Sequence, residues 1–246
     1  MGVFALFITF KKWTALYILC LVLLFAGFAA ILWKGSAIQA SRSLELKQEG
    51  PVLIIDPGHG GEDGGAVAAD GTVESQLNLA VALRIEEMAS LLGWDTVMTR
   101  YEDISIHDPD AVTLRQKKVS DLHNRAELCN GIPDGILISI HQNSLPSVPS
   151  VQGAQVFYNG IDGSEELASA IQEVLNACVN GDHPKSAKKI SDSVYLMKAV
   201  TCPAVLVECG FLSNHSETEL LKTTDYQTQL AAVILSAISE YLEPVP

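Results

Sequence analysis

Residues 52–65 read VLIIDPGHGGEDGG: four consecutive apolar side chains, then a loop carrying five glycines, one histidine and three acids. A run that short and that apolar, closed by Pro57 and Gly58, reads as a strand buried on both faces. The glycines let the backbone turn sharply and approach a ligand closely. A phosphate-cradling loop is the rival for such a segment. The pattern G-x-x-x-x-G-K-[ST] is missing, however, and Glu62 and Asp63 would oppose an anion. His59, placed directly after the carboxyl end of the strand, is the more informative residue.

Outward from this segment, short apolar runs alternate with amphipathic ones. Residues 77–92, 96–98, 112–129 and 136–140 continue the first half, and 154–158, 165–179, 194–197, 204–207 and 226–242 make up the second. Strand–helix alternation with nearly continuous apolar strands predicts an α/β fold around a largely buried sheet. No internal repeat or low-complexity tract interrupts residues 51–246, which predict one domain of ordinary size.

The N-terminal part has a different character. Residues 13–33 form an uncharged run of 21 residues between Lys11, Lys12 and Lys34, with Trp13 and Trp33 at its ends. A helix of that length spans about 30 Å, the thickness of a bilayer core, and tryptophans favour its interfaces. Residues 1–34 therefore read as a membrane anchor, and residues 35–50 as a linker. A cleaved signal peptide competes, because Gly35, Ser36 and Ala37 offer a small-residue cleavage site, but its apolar region would exceed the usual ~7–15 residues. From residue 51 onward, 11 Lys plus Arg stand against 27 Asp plus Glu, a formal charge of −16. Such a surface repels phosphate backbones, which argues against nucleic acid as a partner. Cys129, Cys178, Cys202 and Cys209 lack any CxxC pair and sit in apolar stretches, so free, buried thiols are expected rather than a cysteine metal site.

His59, His141 and Glu208 each end an apolar strand, and in open α/β sheets ligands gather outside the carboxyl ends of strands. The three should share one crevice. Glu74 opens the first amphipathic helix, where an acid also simply suits the helix dipole. Two imidazoles and a carboxylate form a common catalytic zinc set with a position open for water. Residue types alone leave open which glutamate would complete it.

The stretches VLIIDPGHGGEDGGA (52–66) with Glu74 after it, ISIHQNS (138–144) and AVLVECGFLSN (204–214) closely resemble the motifs of the zinc-dependent N-acetylmuramoyl-L-alanine amidases. The resemblance covers residues 52–242. Within that family the chain looks most like the germination-specific form of spore-forming bacteria, which implies cortex maturation with muramic lactam formation. It implies zinc held by His59, Glu74 and His141, with Glu208 as the catalytic carboxylate. It also implies a twisted mixed, largely parallel sheet of about six strands with helices on both faces, behind one transmembrane helix. Implied too are peptidoglycan as substrate and an extracytoplasmic catalytic domain; an activator protein of unknown identity is a further candidate partner, and the sequence leaves open whether one gates activity. Asn143 is expected on the same side as His141, bonding either a substrate amide or its own turn. Lys198, where the family often has Arg, could contact substrate. Cys209 should point away from Glu208, while Arg100 and Arg125 read as surface or helix-pairing residues. A zinc peptidase or deacetylase acting on another wall amide, and a non-catalytic wall-binding module, are the alternative functions.

Overall fold

The computed structural model describes residues 50–242. The anchor expected over residues 1–34 lies outside the described residues, as does most of the linker. No helix among the described residues is long and apolar enough to cross a membrane.

Six strands form one sheet: β1 (Val52–Pro57), β2 (Thr96–Met98), β3 (Gly135–Asn143), β4 (Gln155–Tyr158), β5 (Lys188–Lys189) and β6 (Ala204–Phe211), in the order β2-β1-β3-β6-β4-β5. β1 pairs in parallel with β2 and β3, and β3 with β6. β4 runs antiparallel to β6, with β5 parallel to β4 at the edge. The sheet is thus mixed and largely parallel.

Side-chain parity along the strands decides what each face of the sheet holds. Leu53, Ile55, Ile136, Ile138, Ile140, Val205, Val207 and Cys209 enter the larger core. That core is completed by α1 (Glu74–Leu91), α3 (Ser164–Leu175) and α6 (Thr224–Leu242). The alternate residues Ile54, Leu137, Ala204 and Leu206 enter a smaller core with α2 (Leu114–Asn130) and α4 (Tyr195–Ala199). Successive strand residues point to opposite faces, so continuing the second set brings Asp56, Ser139, His141 and Glu208 onto the α2/α4 side.

The helices form for local reasons as well. α1 repeats Leu77, Val81, Ile85 and Ala89 at four-residue spacing, all buried, and ends before Gly93, whose φ of 83° suits the left-handed stop residue. α2 opens with a capping box, in which Gln116 N donates to Thr113 Oγ1 and the Gln116 side chain accepts from Thr113 N. A short helix α5 (His215–Leu221) follows β6, capped by the Asn214 side chain.

Three local expectations are revised. Residues 194–197, a short apolar run, lie at the start of a helix rather than in a strand, because Leu196 and Met197 pack side by side into the smaller core. The fifth strand is the exposed Lys188–Lys189 pair, held by backbone pairing to Phe157 and Tyr158. The four cysteines are free as expected, but Cys178 is exposed and only Cys129 and Cys209 are fully buried.

Candidate metal centre and active site

The loop after β1 carries the first functional side chain in an unusual backbone state. His59 has a φ of 62°, in the left-handed region that non-glycine residues seldom occupy. Two buried arginines hold it there. Arg125 donates from Nη2 to His59 O (2.8 Å) and from Nη1 to Pro57 O (3.0 Å). Arg100 donates from Nε to Pro57 O (2.9 Å) and from Nη2 to Gly58 O (3.1 Å) and Ser75 O (2.9 Å). The surface reading of Arg100 and Arg125 is thereby corrected: both are buried and clamp the histidine loop from separate elements. Helix pairing holds in part, since Arg125 Nε also donates to Asp121 Oδ2 at 2.7 Å, one turn away.

Beneath the loop lies a buried carboxylate, Asp56. Its Oδ1 accepts from Arg125 Nη1 (2.6 Å) and Thr99 Oγ1 (2.7 Å), and its Oδ2 from Ser139 Oγ (2.7 Å). Burial alone would raise its pKa, yet the Arg125 charge and the two hydroxyl donors keep it below the ordinary carboxylate value. Asp56 therefore stays ionised, a fixed partner for Arg125.

Glu74, His59 and His141 converge from three elements. Glu74 Oε1 lies 3.3 Å from His59 Nε2 and 2.9 Å from His141 Nδ1. Its orientation is set by Ala66 N donating to Oε2 (2.7 Å), and by Asn78 Nδ2 (3.3 Å) and Gln142 N (3.2 Å) donating to Oε1. Burial would raise the Glu74 pKa, but hydrogen bonds from His141 and His59 pull it well below the usual range. His59 is pushed the other way, up to about 9, because Asp63 and Glu74 outweigh the effect of burial. The imidazole rings meet edge to face with centroids 5.0 Å apart. Such closeness requires glycine at Gly58, where a Cβ would fall 2.2 Å from the His141 ring.

These three residues fit a metal ion. One ligand atom from each lies within 4.8 Å of the other two, and two imidazoles with one carboxylate are a donor set suited to zinc. His59 also carries the outer contact expected of a ligating histidine: its Nδ1 lies 3.0 Å from Asp63 Oδ2, and Lys118 Nζ reaches the same oxygen at 3.0 Å. The sequence reading used Asp63 only as an argument against phosphate. An acid four residues after the histidine, in the same glycine-rich loop, was the available signal.

Glu208 stands opposite His141 in the β3–β6 ladder. Its Oε2 is sealed from solvent and has no hydrogen-bond partner. Burial first, with the nearby Glu74 charge adding to it and the two histidines opposing, holds the carboxyl up to about 7. Glu208, His59, His141, Asp63, Lys118 and Tyr195 line one cleft of about 320 Å³. Cys209 points into the opposite core as expected. Burial raises the Cys129 thiol to about 12 and raises Cys209 as well, so neither is a ready nucleophile.

The remaining two candidates lie elsewhere. The ladder carries an irregularity between His141 and Asn143, which sets Asn143 opposite Phe211 and places one more residue on the β6 side. Asn143 Oδ1 accepts from Ser144 N (2.8 Å), the local turn bond. Lys198 is exposed on α4 and lines an adjoining cleft instead.

A doubly covered α/β sheet with two histidines and a glutamate beyond the carboxyl ends of its strands, and a second glutamate at the start of α1, forms a crevice of the kind that houses hydrolytic sites and could hold a metal ion. The particular family is shown by sequence: the profile of the N-acetylmuramoyl-L-alanine amidases matches residues 53–240, and the chain belongs to that family of enzymes. It is 38% identical over 197 residues to the germination-specific N-acetylmuramoyl-L-alanine amidase of Bacillus subtilis, covering 80% of this chain and 81% of that protein. Among solved structures, the CwlD amidase of Clostridioides difficile in complex with the GerS lipoprotein is 37% identical. It aligns with a TM-score of 0.73 over 78% of this chain and 98% of that one. An N-acetylmuramoyl-L-alanine amidase from Clostridium difficile 630 aligns with a TM-score of 0.68 at 29% identity, over 79% and 97% of the two chains.

Proposed function

We propose that this amidase works with zinc held by His59, Glu74 and His141, uses Glu208 as its acid–base group, and acts outside the cytoplasm on spore-cortex peptidoglycan. The observation that carries the mechanism is the unpartnered, desolvated Oε2 of Glu208 across the ladder from His141. A bound zinc ion supplies Lewis acidity toward water and toward the scissile carbonyl. Glu208, placed across the ladder from His141 with a free Oε2, accepts a proton from the attacking water and returns it to the departing nitrogen of L-alanine. Asp63 holds the His59 imidazole from its outer nitrogen, while Arg100 and Arg125 fix the loop that carries it.

Elemental analysis of the purified protein tests the ligand set. About one zinc per chain is expected, falling sharply in His59→Ala and His141→Ala. Full occupancy in both variants would refute it. Release of free peptide stems from glycan that keeps its N-acetyl groups distinguishes the amidase reaction from deacetylation or peptide-bond cleavage.

The germination-specific relative in Bacillus subtilis supports the cortex assignment, and the uncharged run over residues 13–33 supports anchoring. We place the catalytic domain, residues 51–246, outside the cytoplasm, where its substrate is; protease digestion of protoplasts should remove it while cytoplasmic markers survive. The related CwlD amidase has a structure in complex with a lipoprotein, which supports a protein activator for this chain too. Its presence should raise amidase activity in a mixing experiment.

A further inference from the structure

Basic side chains are scarce beyond residue 50, and most have partners. Arg100 and Arg125 are buried against backbone and carboxylate groups. Lys117, Lys118 and Lys222 each pair with an acid, and Lys185 lies over the Phe211 ring. Lys189 at the end of β5 and Lys198 on α4 form no ion pair with any described carboxylate, and both are exposed. They line one cleft of about 210 Å³, with Asn159, Gly160 and Asp192 among its other walls. Asp192 is the single acid there, so the cleft has a net positive charge on a domain of −16. Lys188 is unpaired as well but lies outside this lining.

The position of this cleft ties it to catalysis. Met197 of α4 lines both it and the cleft that holds His59 and Glu208, so the two clefts adjoin at this one side chain. An amidase that releases L-alanine must hold the stem attached to that alanine, and the stem is an acidic peptide. A strongly acidic protein repels such a substrate at long range, and a local pair of cations is what can capture and orient it.

Resting on the amidase reading, we propose that the cleft flanked by Lys189 and Lys198 is a subsite for a carboxylate of the peptide stem. The test uses the full-length, zinc-loaded protein and two muropeptides that differ only in whether the stem carboxylates are free or amidated. In Lys189→Met/Lys198→Met, KM for the acidic substrate should rise about tenfold, as expected for two solvent-exposed charge contacts. Its kcat, its zinc content and its KM for the amidated substrate should stay unchanged. The Lys189→Arg/Lys198→Arg protein should behave as the parent does, and the parent's preference for the acidic stem should fade at high salt. An unchanged KM for the acidic stem, or an equal rise for both substrates, would overturn the subsite while leaving the amidase assignment intact. If the parent protein cleaved neither muropeptide, the amidase reading itself would fall, and the subsite with it.

Discussion

Replacing Glu208 by Gln isolates the effect of one buried carboxyl. In the metal-free protein its pKa is held up to about 7 by burial, reinforced by Glu74, against an ordinary value of 4.5. The folded state therefore binds this proton more tightly than the unfolded chain does. Its contribution to stability is fully present below pH 4.5 and is lost as pH rises through 7. At about 1.4 kcal/mol per pKa unit, and with a discount because the residue as a whole is only half-buried, the loss amounts to about 2–3 kcal/mol. Glu208→Gln has no such titration, and any fixed difference between amide and acid cancels from the slope. Urea denaturation of chelator-treated parent and variant at pH 5 and pH 8 measures most of it: the variant should gain about 1.5–2 kcal/mol relative to the parent between the two, since part of the titration lies below pH 5. With zinc restored, the same variant should hydrolyse muropeptides about 10²–10⁴-fold more slowly while keeping its metal. Glu74→Gln should lose metal as well as rate, since it exchanges an anionic ligand for a neutral one. A stability difference that does not change with pH would refute the desolvated carboxyl. Zinc lost from Glu208→Gln but kept by Glu74→Gln would reverse the two roles.

Three further substitutions probe the support of the site. Asp63→Asn should weaken zinc binding about 10–100-fold in a chelator competition, because it exchanges the carboxylate beside His59 Nδ1 for an amide. Gly58→Ala forces a methyl group to within 2.2 Å of the His141 ring; thermal melting should show a loss of about 1–3 kcal/mol, with reduced zinc occupancy. Arg125→Met leaves Asp56 buried without its charge partner, so denaturant unfolding should reveal a cost of about 3–5 kcal/mol.

How much could be read in advance depended on whether the cause was local. The three buried strands at the heart of the sheet, β1, β3 and β6, show as nearly continuous apolar runs, and His59, His141 and Glu208 mark their carboxyl ends because strand parity needs no distant information. β5 has no such signal: two exposed lysines become a strand only because β4 offers free backbone groups beside them. Residues 194–197 are apolar and short, which leaves helix and strand undecided until Leu196 and Met197 meet the smaller core. The burial of Arg125 depends on Asp56, 69 residues away in sequence, and an arginine on a polar helix looks like a surface residue. The irregularity near Asn143 arises between two strands, so neither sequence displays it alone.

The two outer strands of the sheet are very short, three residues in β2 and two in β5, and the latter presents only lysine side chains. A foreign strand seeking to extend the sheet would find few free backbone groups at either margin, and at one of them a charge that resists stacking. The sheet is thus guarded against edge-to-edge polymerisation. By the same token, an activating protein would have to grip helices or loops, because β-strand addition has almost nothing here to build on.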